Sequence, residues 1–159
     1  MTDDVTHVIA PPFARTIKVL QALAIGKRIM STRWITDGKC SLEEEDKYGV
    51  QRLDKPLKGK SVFLAESFVA TNDPSSLTYK HCTLLVDFGN GKFTDSMEDA
   101  DFCIVGSAAD ESEEALNKVQ EEKDRIVQDY PYLLAFEWAE FVDLIYPFYL
   151  EQSLRKMEK

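Results

Sequence analysis

One strand-to-helix pattern occurs twice in this chain, so any fold it adopts has to be repetitive. Ile29-Met30-Ser31-Thr32-Arg33-Trp34-Ile35 and Leu133-Leu134-Ala135-Phe136-Glu137-Trp138-Ala139 each read as a short apolar strand running into a helix with a tryptophan in its first turn. Val8-Ile9-Ala10 and Ile104-Val105-Gly106 hold matching places ahead of the preceding helix. The later unit reads strand-helix-strand-strand-helix-strand-helix, while the earlier one shows only the closing strand-helix-strand-helix. By analogy the earlier unit lacks an opening of about 40 residues. The chain is then a fragment, or another segment completes the sheet. Alternatively Val8 to Cys40 is an appendage.

Local signals place the elements. A helix is expected from Ala14 to Ile25, closed by Gly26, with Ile17, Leu20 and Ala24 on one face and Arg15 and Lys18 on the opposite one. Val19 and Leu23 widen its apolar arc, as a helix packed on two sides requires. Arg28 to Ser31 reads as a strand, and the charged, aperiodic stretch Ser41 to Lys55 as a linker closed by Pro56. Val62-Phe63-Leu64-Ala65 is an apolar run expected to form a buried strand, and Glu66 to Asn72 a loop. Asp73-Pro74 has the form of a helix start, followed by Leu77, His81, Leu84, Leu85 and Phe88 at helical spacing. Asn90-Gly91 marks a turn, and short strands follow at Lys92 to Thr94 and Phe102 to Val105. Glu111 to Glu122 reads as a helix with Ala115, Leu116 and Val119 inward, Tyr132 to Ala135 as a strand, and a last helix ends at Pro147. The expected organisation is a first half-unit over 1–40, a linker over 41–56, a complete unit over 57–150 and a polar tail over 151–159 that either extends as a polar helix or frays.

Charge narrows the function. The formal net charge of −9 repels phosphate backbones, which argues against strong direct nucleic-acid binding. The three cysteines, Cys40, Cys82 and Cys103, lie far apart with no CxxC pair, the pattern of free thiols in a reducing compartment. Met1 to Val5 is acidic and polar, unlike a signal or transit peptide. No apolar run approaches the roughly 20 residues that span a bilayer, so a soluble, cytosolic or nuclear protein without membrane attachment is expected. His7 has no acidic or cysteine neighbour at metal spacing, and His81 on its apolar face reads as a core histidine, so no metal or cofactor is expected. Lys58-Gly59-Lys60 and Gly89-Asn90-Gly91 lack phosphate-loop spacing. The acidic runs lack a nucleophile beside them, so no enzymatic activity is expected. Trp34 and Trp138 read as core.

Taken together, Thr6-His7-Val8-Ile9-Ala10, Arg15-Thr16-Ile17-Lys18, Ala24-Ile25-Gly26-Lys27 and Trp34, with Leu57-Lys58-Gly59-Lys60, Gly89-Asn90-Gly91 and Trp138 in the later unit, resemble tandem BRCT pairs. The likeness runs from Thr6 to Tyr149 and is nearest to genome-maintenance and checkpoint scaffolds of the fungal kind. It implies an α/β fold: a small parallel four-stranded sheet flanked by helices, in tandem, with the first repeat incomplete. It further implies a nuclear, non-catalytic adaptor of the DNA-damage response, partnered by a phosphorylated protein or histone tail and by other damage-response proteins. In this family the first repeat binds phosphoserine or phosphothreonine through a hydroxyl and a backbone N–H on its opening strand and a helix lysine. Lys18 matches that lysine, Arg15 matches the arginine that reads the third residue after the phosphate, and Asn72 falls where the second repeat lines that residue's pocket. The opening strand lies outside this sequence, so the likeness implies half a phosphate pocket. The later unit has Glu113-Glu114-Ala115-Leu116 in place of R-T-x-K, which repels phosphate. The competing expectation is a phosphate-independent scaffold. A solvated helix face is the plainer reading of Arg15 and Lys18.

Overall fold

The structure is a computed structural model and describes residues 4–159; most of the acidic start read for targeting signals, residues 1–3, lies outside the described residues. In chain order the elements are β1 (His7–Ile9), α1 (Ile17–Ala24), β2 (Arg28–Met30), α2 (Arg33–Thr36), α3 (Glu45–Tyr48), β3 (Gly49–Gln51), β4 (Ser61–Leu64), α4 (Glu66–Thr71), α5 (Leu77–Phe88), β5 (Lys92–Phe93), β6 (Phe102–Ile104), α6 (Glu113–Asp129), β7 (Leu134–Phe136), α7 (Trp138–Ile145) and α8 (Phe148–Met157). They form two compact units. One comprises the residues up to Pro56 together with Asp143–Lys159, and the other is Leu57–Val142.

The Leu57–Val142 unit is built on a four-stranded, all-parallel sheet in the order β5-β4-β6-β7. Its central strands read as unbroken apolar runs because parallel strands covered on both faces have no wet side. Val62, Cys103, Ile104 and Val105 are fully buried. Ala65, Ala100, Ile126 and Leu133 join Cys103 and Val105 in one core cluster. This arrangement is compatible with a BRCT-like repeat, as the α/β expectation required.

Several local expectations give way here. Glu66–Thr71 is helix α4 and not loop. Its Ser, Val and Thr are indifferent helix formers, but burial of Phe68 and an acidic first turn hold it in place. Asp73-Pro74 does not start α5. The Asp73 carboxylate instead accepts from the Ser75 N–H at 2.9 Å, closing a turn. Ser76 is the cap, its Oγ accepting from the Tyr79 N–H at 3.2 Å. Leu116 is 51% exposed, so the inner face of α6 runs through Val119 and Ile126. Trp138 is half-buried, tilted against Phe141 at 5.7 Å.

The other unit holds a three-stranded sheet in the order β1-β2-β3, with β1 and β2 parallel and β2 and β3 antiparallel. The stretch read as a linker is therefore structured. It carries a 3-10 turn at Leu42–Glu44, then α3, and then the edge strand β3. The local sequence lacks periodicity because each of these pieces is only three or four residues long. Trp34 is buried beneath them. Its Nε1–H donates to the Ser41 carbonyl at 2.9 Å, and its ring stacks on His7 at 4.9 Å. The stretch read as a polar tail is helix α8, packed on β3 and α3 with Leu150 and Leu154 buried.

Alignment of the two units by hydrogen bonding makes the repeat exact at the strands. The Ala10 N–H donates to the Met30 carbonyl as the Val105 N–H donates to that of Phe136, and the Arg28 N–H reaches Thr6 as the Leu134 N–H reaches Asp101. Ile9 thus corresponds to Ile104, and Met30 to Phe136. The sequence pairing was offset by one residue at the first strand. It was offset by two residues at the second strand, because the tryptophans lie at different distances from their strands.

Candidate functional site

α1 begins later than the apolar pattern suggests. Thr16 is extended at φ −69°, ψ 160°, and its Oγ1 accepts from the Val19 N–H at 3.5 Å, so the helix opens at Ile17. Arg15 therefore precedes the helix and does not share a helical face with Lys18. From Val19 to Ala24 every residue of α1 is buried, Gln21 included, as the wide apolar arc demands.

Lys18 sits in the first turn of α1, exposed, with no hydrogen bond or ion pair among the described residues. It lies past the carboxyl end of β1, where open α/β sheets gather their ligands and where helix N–H groups favour an anion. Arg15 is already engaged. Its Nη1 donates to Asp143 at 3.0 Å, its Nε lies 4.0 Å from Glu151, and its guanidinium stacks over Tyr146 at 4.8 Å. Glu151 is a buried carboxylate. Tyr146 is fully buried and donates its hydroxyl to the Pro12 carbonyl at 2.9 Å. Burial, with Glu151 nearby, pushes its phenol up to about 12, so this donor persists at neutral pH. A peptide carboxylate reaching Arg15 has to share it with Asp143. Asn72 belongs to the other unit, where its amide donates to the Phe68 carbonyl at 3.2 Å and to Thr71 Oγ1 at 3.1 Å. It closes the C-terminal end of α4.

The Leu57–Val142 unit shows the same corner in complete form. An open cleft of about 450 Å³ lies between α4, the loop after β6 and α6. Ser67 Oγ accepts from the Gly106 N–H at 2.9 Å and donates to Glu122 at 2.6 Å. Ser112 caps α6 through the Ala115 N–H at 3.2 Å, as Thr16 caps α1 through that of Val19. Counting from the caps, Glu114 stands where Lys18 stands. Glu122 and Asp110 add further carboxylates to this cleft against the single cation Lys118. The complete corner thus repels an anion, while the cationic corner lacks a counterpart of α4 among the described residues.

Comparison with family models and with curated proteins finds no match to this chain.

Two features escaped the sequence reading because they join residues far apart in the chain. Arg33, Lys47 and Lys156 line a cleft of about 430 Å³, with Arg33 and Lys47 both against the Tyr48 ring. Near it, Glu158 grips the turn between β2 and α2. Its Oε1 accepts from Ser31 Oγ at 2.8 Å and the Thr32 N–H at 3.1 Å, and its Oε2 accepts from Thr32 Oγ1 at 3.0 Å. Burial raises the Glu158 carboxyl, but the bonds from Ser31 and Thr32, with Arg33 close by, outweigh it and hold the group below its ordinary range. Nothing in the local sequence distinguishes Glu158 from any other glutamate in a polar helix.

Proposed function

We propose that this chain is part of a tandem-BRCT-type adaptor that reads a phosphoserine or phosphothreonine motif, in the setting of the nuclear DNA-damage response. The observation that carries the reading is the charge difference at one repeated position. Lys18 is exposed and uncommitted on the first turn of α1, and Glu114 holds the same place in the sister unit. A phosphate brings about −1.5 to −2 charges and accepts several hydrogen bonds, so the Lys18 corner favours it and the Glu114 corner rejects it. The R-T-x-K segment supports the same reading by resemblance. The assignment to damage signalling, to a phosphorylated partner or histone tail, and to the nucleus rests on that resemblance. The role is one of binding, without a catalytic step.

The test is a titration with a phosphoserine peptide and its unphosphorylated twin, by calorimetry or fluorescence anisotropy. A preference of at least tenfold for the phosphopeptide that disappears in Lys18→Glu supports the reading, and equal affinities refute it. A second reading, phosphate-independent docking of a partner protein, is favoured by one observation: the Arg15 fork is already neutralised by Asp143 and Glu151. On that reading Lys18→Glu leaves partner capture unchanged.

A further inference from the structure

We infer that the cleft lined by α2, α3 and α8 is an anion site that takes a phosphorylated side chain of a separate partner protein. The site is distinct from the Lys18 corner and stands whatever Lys18 binds.

Arg33, Lys47, Tyr48, Ser153, Lys156 and Met157 line this cleft of about 430 Å³, with no acidic residue among them. In a chain of formal net charge −9 that is a local reversal of sign. Elsewhere the cations that line clefts meet carboxylates: Lys118 has Asp110, Glu114 and Glu122 around it, and Lys27 and Arg28 share theirs with Glu45. Arg33 is a wall and not a reader. Its Nε donates to Asp37 at 2.6 Å and its Nη1 to the Met157 carbonyl at 3.5 Å, so its fork is spent. Lys47 and Lys156 are exposed, and their ammonium groups make no hydrogen bond or ion pair among the described residues. Tyr48 lies between these elements at 6% exposure, with the Lys47 ammonium 5.3 Å from its ring centre. Its backbone carbonyl accepts from the Ser31 N–H at 2.7 Å, but its hydroxyl has no hydrogen-bond partner among the described residues. Two uncommitted ammonium groups and an uncommitted hydroxyl on a buried ring therefore meet in one cleft, and an anion there relieves the repulsion between like charges.

The donor set selects the anion. Lysine ammonium groups are compact point charges that suit a phosphate, whereas a planar carboxylate is best matched by a guanidinium fork, and the fork at Arg33 is already taken. The cleft is open, so it cannot enclose a small phosphorylated metabolite in the way small-molecule sites do. It can receive one compact dianion while the rest of the ligand stays outside. The net charge of the chain opposes an extended polyanion such as nucleic acid. A single phosphate on a peptide side chain meets all of these conditions. Two exposed ammonium groups on flexible stems make a weaker site than a buried one, so occupancy is read residue by residue at high peptide concentration.

The experiment titrates the ¹⁵N-labelled 159-residue chain, and its Lys18→Glu variant, with a phosphoserine peptide whose flanking residues are uncharged, and follows amide shifts by NMR. Serine and glutamate twins of the peptide and inorganic phosphate serve as further arms. The inference predicts saturable shifts at the amides of Tyr48, Ser153 and Lys156 with the phosphopeptide, persisting in Lys18→Glu, and none with the serine twin. Lys47→Ala combined with Lys156→Ala should weaken these shifts by about tenfold or more, with the thermal midpoint unchanged because both side chains are exposed. Tyr48→Phe should weaken them severalfold. If the double variant does not fold, Lys156→Ala alone replaces it and should weaken them severalfold. Four results overturn the inference: no saturable shift at these amides at millimolar phosphopeptide; equal shifts with the serine or glutamate twin; shifts that vanish in Lys18→Glu and survive the two lysine substitutions; or shifts with inorganic phosphate and none with the phosphopeptide, which makes a free anion the occupant. Shifts at the same amides on dilution of the chain alone also overturn it, since the chain's own acidic segments then fill the cleft.

Discussion

Lys18 and Glu114 carry opposite charges at one position of a repeated arrangement, and that difference sets what each corner can hold. Lys18→Glu makes the two corners alike. On the proposed phosphopeptide-reading function it should reduce phosphopeptide affinity by about tenfold or more, roughly 1.4 kcal/mol, without changing the thermal midpoint, as calorimetry and melting check. The cysteines divide as sharply. Burial pushes the thiols of Cys82 and Cys103 up to about 12, Glu122 adding to the effect at Cys103, while Cys40 is exposed. Thiolate is the reactive form. In the native protein at pH 8 a thiol reagent should therefore modify Cys40 rapidly, and Cys82 and Cys103 only when urea unfolds the chain. Glu158 links stability to pH. Its carboxyl is lowered by the bonds from Ser31 and Thr32, so its contribution is complete above the ordinary value of 4.5 and is lost as pH falls through the lower folded value. Glu158→Ala should cost about 1–2 kcal/mol at pH 7 and much less at pH 3, read from urea midpoints at the two pH values.

At the scale of elements, the contact between α4 and the loop after β6 decides the shape of the complete corner. A Cβ added at Gly106 would lie 2.5 Å from the Ser67 carbonyl oxygen, which is backbone and has no rotamer to give. Gly106→Ala should therefore destabilise the Leu57–Val142 unit by about 1–3 kcal/mol, measured as a shift of its denaturant midpoint. The same contact explains why α4 was not legible. Its helix rests on Phe68 at 1% exposure and on the Ser67 bonds to Gly106 and Glu122, all supplied by residues distant in sequence. α5 shows the reverse case. Its presence was legible from periodicity, but Leu77 and Leu84 face water at 68% and 43% exposure while Cys82, Leu85 and Val86 take the core.

At the scale of the whole molecule, one unit draws on both ends of the chain. α8 packs on β3 and α3, and Arg52 donates to the carbonyls of Leu144 and Ile145. Removal of residues 148–159 strips the buried Leu150 and Leu154, each worth about 1.5–3 kcal/mol, and the Glu158 clamp with them. The expected result is a large loss of stability in that unit. The unfolding of Trp34, followed by fluorescence in a Trp138→Phe background, should move to markedly lower denaturant.

Period and composition alone determined much of this protein. The apolar runs became β1, β2, β4 and β6, and the helical spacings became α1, α5, α6 and α7, because hydrophobic periodicity is a local property. The cation at Lys18 was legible for the same reason, through the segment Arg15 to Lys18. Only the tertiary structure decided that Arg15 is held by Asp143, Glu151 and Tyr146, that the linker is a short helix and an edge strand, and that the tail packs on β3 and α3 with Glu158, just after α8, gripping Ser31 and Thr32. Those outcomes come from contacts between residues as far apart in the chain as Arg15 and Glu151, and short elements of three or four residues carry too few positions to announce a period of their own.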